Sequence, residues 1–319
     1  MRAITFSDSL KYTDNYPEPK CADGECMVRV HMAGICATDL HITRGHMDFC
    51  GVLGHEMVGT VVAGSSEWKN RRVACEINCV CRRCDMCKAG LSAHCRDRTV
   101  LGISGRDGCF ADLVAVPEHN LHAVPDTISD EEAVFIEPLA AAYQVIKQVS
   151  IEPRMQVAVV GSGRLGLLIA QVLASTGCRL EVVGRNPKTL LFCEKKRIQS
   201  TSVDDLVPRN DRDVVVECTG SPAGLEIALA MVRPRGTIVL KSTHAEPERL
   251  NLSQAVVNEV NIIGSRCGPF PDAINALARR EVEVSSMVAR AYRIERGAEA
   301  FEASLDPQNI KVLLKINPR

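Results

Sequence analysis

The sequence predicts an α/β protein in which a doubly wound parallel sheet is joined to a second, β-rich domain. Three observations carry this prediction. From about residue 155 onwards, apolar strands alternate with helices, a pattern typical of a parallel sheet covered on both faces. The first 125 residues instead show short β-branched or apolar segments bounded by glycine and proline. At 319 residues, the chain is long enough for about two domains of ~100–200 residues each.

Composition and charge restrict the possible functions. Charged residues make up 24% of the chain and the formal net charge is −1, so no basic excess is available for nucleic acid or an anionic membrane. The longest charge-free apolar run, 165–178, is shorter than the roughly 20 residues that cross a bilayer. The first residues, MRAITFSDSLKY, contain no apolar signal segment. We therefore expect a cytoplasmic protein that binds neither nucleic acid nor membrane.

Sequence patterns locate the elements on which a site must be built. Strands are expected at 28–35 and 58–64. Ser129 and the three acids after it are typical of a helix N-terminus, and Pro138 should break or restart that helix. Further along the chain we expect strands at 155–160, 179–183, 213–218, 237–241 and 261–265, helices at 163–176, 187–197 and 222–232, a helix after residue 270 and a last strand IKVLLKI.

A glycine-rich turn lies between the first of these α/β strands and the helix that follows it. Because strand, tight turn and helix occur in that order, the turn predicts a dinucleotide site of the Rossmann type. Gly161 permits the turn, Gly163 lets the backbone approach a pyrophosphate, and Gly166 allows close helix–strand packing. The N–H groups and the positive end of the helix favour the anion. The predicted cofactor-binding residues of this turn are Gly161, Ser162, Gly163, Arg164, Leu165 and Gly166.

The end of the second strand of this domain indicates which cofactor is bound. An Asp or Glu at this point would bind the ribose hydroxyls of NAD. The chain has Gly184 instead, followed by Arg185. Glycine leaves room for a 2′-phosphate, and arginine can pair with it through two hydrogen bonds. The sequence therefore predicts NADP(H) in preference to NAD(H), and changing Gly184 to Asp is expected to move that preference toward NAD.

Fifteen cysteines in a chain without a secretion signal favour metal ligation and buried thiols over a disulfide framework. Cys81, Cys84, Cys87 and Cys95 lie within fifteen residues of one another and could supply four thiolates to one tetrahedral ion. Four protein ligands leave no open position, so this cluster is predicted to be a structural zinc site. Cys75 and Cys79 are close enough in sequence to compete as ligands.

A second set of candidate ligands lies upstream, where Cys36 is part of GICATDLH (34–41) and His55 and Glu56 are part of GHEMVG (54–59). With these motifs, the four-cysteine run and the glycine-rich turn, the chain resembles the zinc-containing medium-chain dehydrogenases/reductases of the alcohol dehydrogenase superfamily. This family includes alcohol, sorbitol, threonine and glucose dehydrogenases. The resemblance covers nearly the whole chain, in the family's order. It is carried by GICATDLH (34–41), GHEMVG (54–59), CRRCDMCKAGLSAHC (81–95), EPLAAA (137–142) and GSGRLG (161–166).

The resemblance implies a catalytic zinc site. Cys36 matches the family's first zinc ligand and His55 matches the second. Glu56 and Glu137 both match positions that supply a further ligand in some members, and the sequence does not choose between them. Glutamate at position 137 is the pattern of the branch of polyol dehydrogenases that includes sorbitol and threonine dehydrogenase. Such a site keeps an open coordination position for the substrate.

The same resemblance implies roles for residues beside the metal. Thr38 matches the hydroxyl that hydrogen-bonds the reacting oxygen, and His41 matches the outer end of a proton relay to solvent. Asp39 is expected to orient His55. Weaker implied cofactor contacts are Thr219, Arg266 and Lys311, with Lys311 expected over the pyrophosphate.

The resemblance also implies an overall organisation. We expect a GroES-like catalytic domain with both zinc sites over residues 1–138 and 267–319, and a Rossmann domain over residues 139–266. Each chain would hold two Zn²⁺ ions, one catalytic and one structural, with the structural ion on Cys81, Cys84, Cys87 and Cys95 because their spacing matches the family. A homodimer or homotetramer is expected.

The function that the sequence favours is zinc-dependent hydride transfer between NADP(H) and an alcohol or polyol, or its carbonyl counterpart. A zinc-free reductase of the same fold would lack Cys36, His55 and the four-cysteine cluster. A non-catalytic NADP(H)-binding sensor would bind the cofactor without turnover. A nucleic-acid-binding protein with a zinc ribbon is disfavoured by the net charge of −1.

Overall fold

The computed structural model describes residues 1–45, 48–243 and 252–319. These residues form two compact units. One unit comprises Met1–Glu137 and Phe270–Arg319, and the other comprises Pro138–Pro269. None of the helices in the described ranges is long and apolar enough to cross a membrane.

The regular elements of the described residues are numbered here in chain order. The strands are β1 (Ala3–Phe6), β2 (Leu10–Thr13), β3 (Glu25–Gly34), β4 (Gly51–Val52), β5 (Glu56–Ala63), β6 (Arg72–Cys75), β7 (Asn78–Cys79), β8 (Thr99–Val100), β9 (Leu113–Pro117), β10 (Leu121–Ala123), β11 (Gln156–Val160), β12 (Arg179–Gly184), β13 (Gln199–Ser202), β14 (Arg212–Glu217), β15 (Val232–Leu240), β16 (Asn261–Gly264), β17 (Val288–Arg293) and β18 (Lys311–Lys315). The helices are α1 (Ala37–Thr43), α2 (Asp85–Lys88), α3 (Asp130–Ala133), α4 (Ile136–Gln148), α5 (Arg164–Ala174), α6 (Pro187–Lys195), α7 (Pro222–Met231), α8 (Ser253–Val257), α9 (Phe270–Ala278) and α10 (Gly297–Leu305).

The first unit is built on a mainly antiparallel sheet in the order β10-β6-β5-β3-β18-β17, with β9 also paired to β3. The long strand β3 is its centre, since it pairs with β5, β9 and β18. Smaller sheets are formed by β2-β1-β4 and by β7-β8. In β3 the side chains of Val28 and Val30 are fully buried while Arg29 between them is exposed, which is the alternation of a half-buried strand.

The second unit contains a six-stranded parallel sheet in the order β13-β12-β11-β14-β15-β16. The chain moves outward from β11 in one direction and then, from β14, in the other, so the strand order reverses between these two strands. Residues 157–160 of β11 are completely buried, as expected of a central strand covered on both faces. This confirms the predicted α/β class with a doubly wound parallel sheet and a β-rich partner.

Local signals account for most of the helix boundaries. Ser129 caps α3, where its hydroxyl accepts from the Glu132 N–H and the Glu132 carboxylate accepts from the Ser129 N–H. The next helix begins at Ile136, so Pro138 lies in its first turn, where the missing N–H costs no helical hydrogen bond. The polar strand β13 was not predicted, because the sequence QSTS at this sheet edge lacks an apolar pattern.

Candidate active site and cofactor site

The upstream candidate ligands converge in the first unit. Cys36 is the N-cap of α1, two residues after the end of β3. His55 immediately precedes the neighbouring strand β5, and Glu56 is its first residue. Gly34 of β3 pairs with Glu56 of β5, which brings the two chain segments together. The ligand atoms of Cys36, His55 and Glu56 all lie within 4.8 Å of one another. One thiolate, one imidazole and one carboxylate at this separation form a donor set that suits zinc.

Asp39 connects two members of this group. Its side chain is completely buried. One carboxylate oxygen, Oδ2, accepts a hydrogen bond of 2.8 Å from the backbone N–H of Cys36, while Oδ1 lies 3.5 Å from Nδ1 of His55. Oδ1 of Asp39 and Nδ1 of His55 have no other hydrogen-bond partner among the described residues. The arrangement holds the thiol segment and turns the other imidazole nitrogen of His55 away from Asp39.

The charges around His55 alter its protonation. Burial lowers the pKa of His55, but the carboxylate of Asp39 and the sulfur of Cys36 raise it by more, and the net pKa lies well above the ordinary value. The same negative groups would favour a cation at this position. The ligand geometry and this local charge therefore both fit a metal ion.

Glu56 has a partner that the sequence argument did not find. Its carboxylate forms an ion pair with the ammonium of Lys311 on β18, and both side chains are 2% exposed. Lys311 also donates a hydrogen bond of 3.3 Å to the backbone oxygen of Ile35. A Cβ on Gly34 would lie 2.6 Å from Oε2 of Glu56 and 2.7 Å from Cε of Lys311, so glycine is needed there to make room for the pair. The ammonium is thus bound inside this unit, which differs from its expected place over a cofactor pyrophosphate.

The two glutamates expected as alternative ligands differ in position. Glu56 belongs to the group within 4.8 Å, whereas Glu137, in the first turn of α4, is not a member of any such group in the described part of the chain. The hydroxyl of Thr38 lies 3.8 Å from Sγ of Cys36. His41 is half-buried in the last turn of the same helix, α1.

The four-cysteine cluster forms a second group in the same unit. The sulfurs of Cys81, Cys84, Cys87 and Cys95 lie within 4.8 Å of one another. Backbone N–H groups lower the pKa of Cys84 to about 6, while burial and the neighbouring thiols raise the pKa of Cys87 to about 12. Four sulfurs at this separation fit a closed tetrahedral zinc site.

Cys75 and Cys79, the possible competitors for this ion, lie elsewhere. They are buried on β6 and β7 and are not members of the four-sulfur group. Burial raises the pKa of both thiols, and raises that of Cys75 strongly. This environment opposes the thiolate form that metal ligation requires.

The glycine-rich turn is the candidate cofactor site of the second unit. Gly161 has φ +115°, a conformation that favours glycine, and a Cβ there would lie 2.9 Å from the backbone of Cys218 after β14. A Cβ on Gly166 would lie 1.9 Å from the carbonyl oxygen of Gly161. By contrast, a Cβ on Gly163, the N-cap of α5, would meet nothing within 4 Å, so the space directly beside this residue is open. The turn lies at the reversal of strand order, where such sheets bind ligands.

The predicted reader of the cofactor 2′-position lies beside this turn. Gly184 is the buried last residue of β12, and Arg185 after it is exposed. A Cβ on Gly184 would lie 2.0 Å from Oγ and 2.5 Å from Cβ of Ser162. Ser162 is itself held by a 2.7 Å hydrogen bond to the hydroxyl of Thr189 on α6. This hydrogen bond connects the glycine-rich turn to α6, a contact that the spacing of the residues did not indicate.

Two further candidate cofactor residues lie at the carboxyl ends of neighbouring strands. Thr219 follows β14 and is exposed, and its N–H and hydroxyl both donate to Oε1 of Glu217, at 2.7 Å and 2.6 Å. Arg266 follows β16 and is exposed, and its backbone oxygen accepts a 2.8 Å hydrogen bond from the ammonium of Lys241. Both residues therefore lie at the carboxyl ends of the parallel strands, as does the glycine-rich turn after β11.

Comparison with protein families matches both parts of the chain. The family model of the alcohol dehydrogenase GroES-like domain matches residues 22–126. The family model of the glucose dehydrogenase C-terminus matches residues 131–316, which is more than half of the chain.

Individual relatives agree with these matches. A sorbitol dehydrogenase of Bacillus subtilis (strain 168) is 30% identical over 330 residues, covering 95% of this chain and 94% of that protein. D-arabinitol dehydrogenase 1 of Uromyces fabae is 27% identical over 318 residues, covering 92% of this chain and 90% of that protein. Among solved structures, an alcohol dehydrogenase from Escherichia coli CFT073 complexed with NADH superimposes with a TM-score of 0.90 at 26% identity, covering 99% of each chain.

Proposed function

The chain belongs to the zinc-containing medium-chain dehydrogenases/reductases, in the polyol dehydrogenase branch, and from this premise we propose that it transfers a hydride between NADP(H) and an alcohol or polyol, or the corresponding carbonyl compound. Membership of this family makes it an oxidoreductase of alcohols or polyols that uses zinc and a nicotinamide cofactor. The proposal adds the residues that hold each group and the preference for NADP(H).

The observation that carries the proposal is the group formed by Cys36, His55 and Glu56, whose ligand atoms lie within 4.8 Å of one another. Zinc bound by these three side chains would act as a Lewis acid that favours loss of the alcohol proton and polarises the carbonyl group in the reverse direction. We assign the third protein ligand to Glu56 rather than Glu137, because only Glu56 belongs to this group among the described residues. Three protein ligands leave a position open for the substrate.

The surrounding side chains are assigned supporting roles. The Thr38 hydroxyl, 3.8 Å from the sulfur of Cys36, would hydrogen-bond the reacting oxygen of the substrate. Half-buried His41 would pass the proton to solvent, because imidazole exchanges protons near neutral pH. Asp39 holds both Cys36 and His55 and so keeps the ligands in place.

The preference for NADP(H) is supported by the end of β12. Gly184 provides no carboxylate for the ribose hydroxyls, and exposed Arg185 offers a cation to a 2′-phosphate. The pyrophosphate is assigned to the N-terminus of α5, where Gly163 leaves the approach open. The second zinc ion per chain is assigned to Cys81, Cys84, Cys87 and Cys95.

We also propose a homodimer or homotetramer. The strand β16 is at the edge of the parallel sheet and pairs only with β15 in the part of the chain that the structure describes. Ile262 on this strand is 38% exposed, and Val256 and Val257 on the preceding helix are 75% and 79% exposed. An edge strand with apolar neighbours is suited to pairing with a second copy. Sedimentation of the purified protein as a monomer at micromolar concentration would contradict this.

The proposed reaction is tested with the purified protein and a panel of substrates. Ethanol, sorbitol, D-arabinitol and xylitol would be oxidised with NADP⁺ or NAD⁺, and D-xylulose reduced with NADPH or NADH, while absorbance of the reduced cofactor is followed. We expect turnover of at least one polyol, with a higher kcat/KM for NADP(H). Cofactor binding without turnover on any compound would instead support a non-catalytic protein, and a higher kcat/KM with NAD(H) would overturn the cofactor assignment.

A further inference from the structure

We propose that Lys241 is a positioning residue for the cofactor, because its ammonium joins the segment that carries Arg266 to the first half of α4. The ammonium donates hydrogen bonds of 2.8 Å to the backbone oxygens of Ala141 and Arg266 and one of 3.3 Å to Oγ of Ser265. The inference rests on the proposed use of a nicotinamide cofactor and goes beyond it, since it assigns the placing of a cofactor contact to a lysine outside the glycine-rich turn.

The position of Lys241 is set by the parallel sheet. The residue directly follows β15, and its N–H donates a 2.8 Å hydrogen bond to the backbone oxygen of Glu217, the last residue of β14. On the other side, the N–H of Ser265 donates a 2.9 Å hydrogen bond to the backbone oxygen of Leu240. These bonds bring Lys241 beside the segment that follows β16. Open parallel sheets bind their ligands at the carboxyl ends of the strands, where this segment lies.

The segment that Lys241 holds also packs closely on α4. A Cβ on Gly268 would lie 1.9 Å from the backbone oxygen of Ala140, so glycine is needed for this approach. The next helix residue, Ala141, supplies the backbone oxygen that accepts from Lys241. One ammonium therefore bonds to the helix and, through Arg266, to the segment that faces it.

An ammonium is suited to this task because it has three N–H donors and no acceptor, and because bonds from a charged donor are stronger than neutral ones. Water could satisfy the oxygen of Ala141 or that of Arg266 separately, but it would not join them by a covalently anchored side chain. Without the ammonium, the segment should be less firmly held against α4. Arg266, which is exposed two residues after β16, would then lose its fixed place beside the expected cofactor.

The experiment measures the dissociation constant of NADPH by fluorescence for the wild type, Lys241→Met and Lys241→Arg. Lys241→Met should weaken binding by about tenfold, the effect of losing one hydrogen bond from a charged donor. Lys241→Arg keeps a cation with several N–H donors and should bind within about threefold of the wild type.

The matched control is Gln148→Met. Nε2 of Gln148, at the end of α4, donates a 3.1 Å hydrogen bond to the backbone oxygen of Gly264, directly before the same segment. This variant removes a contact between α4 and the end of β16 but leaves the Lys241 ammonium in place. It should therefore bind NADPH as the wild type does.

A double-mutant cycle tests whether Lys241 acts through Arg266. Arg266→Ala and Lys241→Met/Arg266→Ala are compared with the wild type and Lys241→Met. If the lysine acts by placing the arginine, Lys241→Met should weaken NADPH binding much less when residue 266 is already alanine. Additive effects, or an Arg266→Ala variant with wild-type affinity, would show that Lys241 does not act through Arg266.

The outcomes separate this inference from the proposed function. Wild-type NADPH affinity in Lys241→Met, or equal weakening by Gln148→Met, would overturn the inference and leave the proposed function intact. A wild type that binds neither NADPH nor NADH would overturn the proposed function and this role with it. If the wild type prefers NADH, only the cofactor preference is wrong, and the variants are compared with NADH. Should Lys241→Met fail to fold, Lys241→Gln takes its place. Its shorter and uncharged side chain should also weaken binding by about tenfold, and unchanged affinity would refute the role of the ammonium.

Discussion

The ammonium of Lys311 is bonded to the carboxylate of Glu56, and the pair is buried beside Cys36 and His55. The lysine thus places a fixed positive charge next to a group of metal ligands. It neutralises Glu56 when no metal is present and leaves the carboxylate with two possible cationic partners when a metal is bound. Gly34 is the residue that makes room for this arrangement.

Replacing Lys311 with methionine should lower the free energy of unfolding by about 3 kcal/mol, because it leaves Glu56 buried without its counter-ion. The loss should be larger after chelation of the metal, since a bound cation would compensate for the missing ammonium. Urea denaturation with and without chelator measures both values. The double variant Glu56→Gln/Lys311→Met removes both charges and should recover much of the loss. A double variant no more stable than Lys311→Met would show that the charge pair is not the cause.

Replacing Asp39 with asparagine should weaken zinc binding at the Cys36 and His55 site by about tenfold to a hundredfold, because the contact with Nδ1 of His55 loses its charge. Competition with a chromophoric chelator measures this affinity. The matched control is Asp107→Asn, whose Oδ1 also accepts a 2.8 Å hydrogen bond from a backbone N–H, that of Val52. Equal zinc affinity in both variants would mean that Asp39 does not position the ligands.

The carboxylate of Asp130 should make the stability of the first unit depend on pH. Burial raises the pKa of Asp130, but its contacts with His31 and Arg72 and the charges of Arg72 and Arg319 lower it by more, and the net pKa lies well below the ordinary value. A depressed pKa means that the stabilisation is present above the unfolded pKa of about 4 and is lost as the pH falls toward the folded pKa.

The variant Asp130→Asn should therefore be less stable than the wild type by about 3 kcal/mol at pH 7, because Arg72 loses its buried partner, and this difference should shrink between pH 5 and pH 3. Denaturant titrations at several pH values give the difference directly. Asp126→Asn serves as the control, since that side chain is 93% exposed. A difference that stays constant with pH would exclude ionised Asp130 as its source.

The two sets of cysteines should respond differently to substitution. Cys84→Ser removes one of four sulfurs that lie within 4.8 Å, so it should release one zinc ion per chain and lower the melting temperature. Cys79→Ser alters a buried thiol outside that group and should leave the zinc content unchanged. Zinc measured by atomic emission against protein concentration decides this. Loss of zinc from the Cys79 variant would indicate that Cys79 is a zinc ligand.

The parts of the fold that the sequence predicts are those with strong local signals. The run from Gln156 to Gly166 combines an apolar strand, a glycine turn and a helix, and the structure contains all three. Ser129 begins a helix through a capping box that is visible in the residues themselves. The edge strand β13 carries no such signal. It pairs with β12, and none of its four residues is fully buried, so its sequence needs no apolar alternation.

The details of the site depend on contacts between distant segments, which spacing does not reveal. Lys311 and Glu56 are 255 residues apart in sequence, and only the pairing of β3 with both β5 and β18 brings them together. A lysine inside the apolar run IKVLLKI was the available signal that it has a buried partner. The close approach of Ser162 to Gly184 is of the same kind, because it joins the turn after β11 to the end of β12.

The central claim is that Cys36, His55 and Glu56 hold a catalytic zinc ion separate from the four-cysteine ion. The most direct test is the zinc content per chain of the wild type and of Cys36→Ser, measured together with polyol turnover. We expect two zinc ions in the wild type, and in the variant one ion, no turnover and an unchanged circular dichroism spectrum. One ion in the wild type, or a Cys36→Ser variant that keeps both ions and full activity, would contradict it.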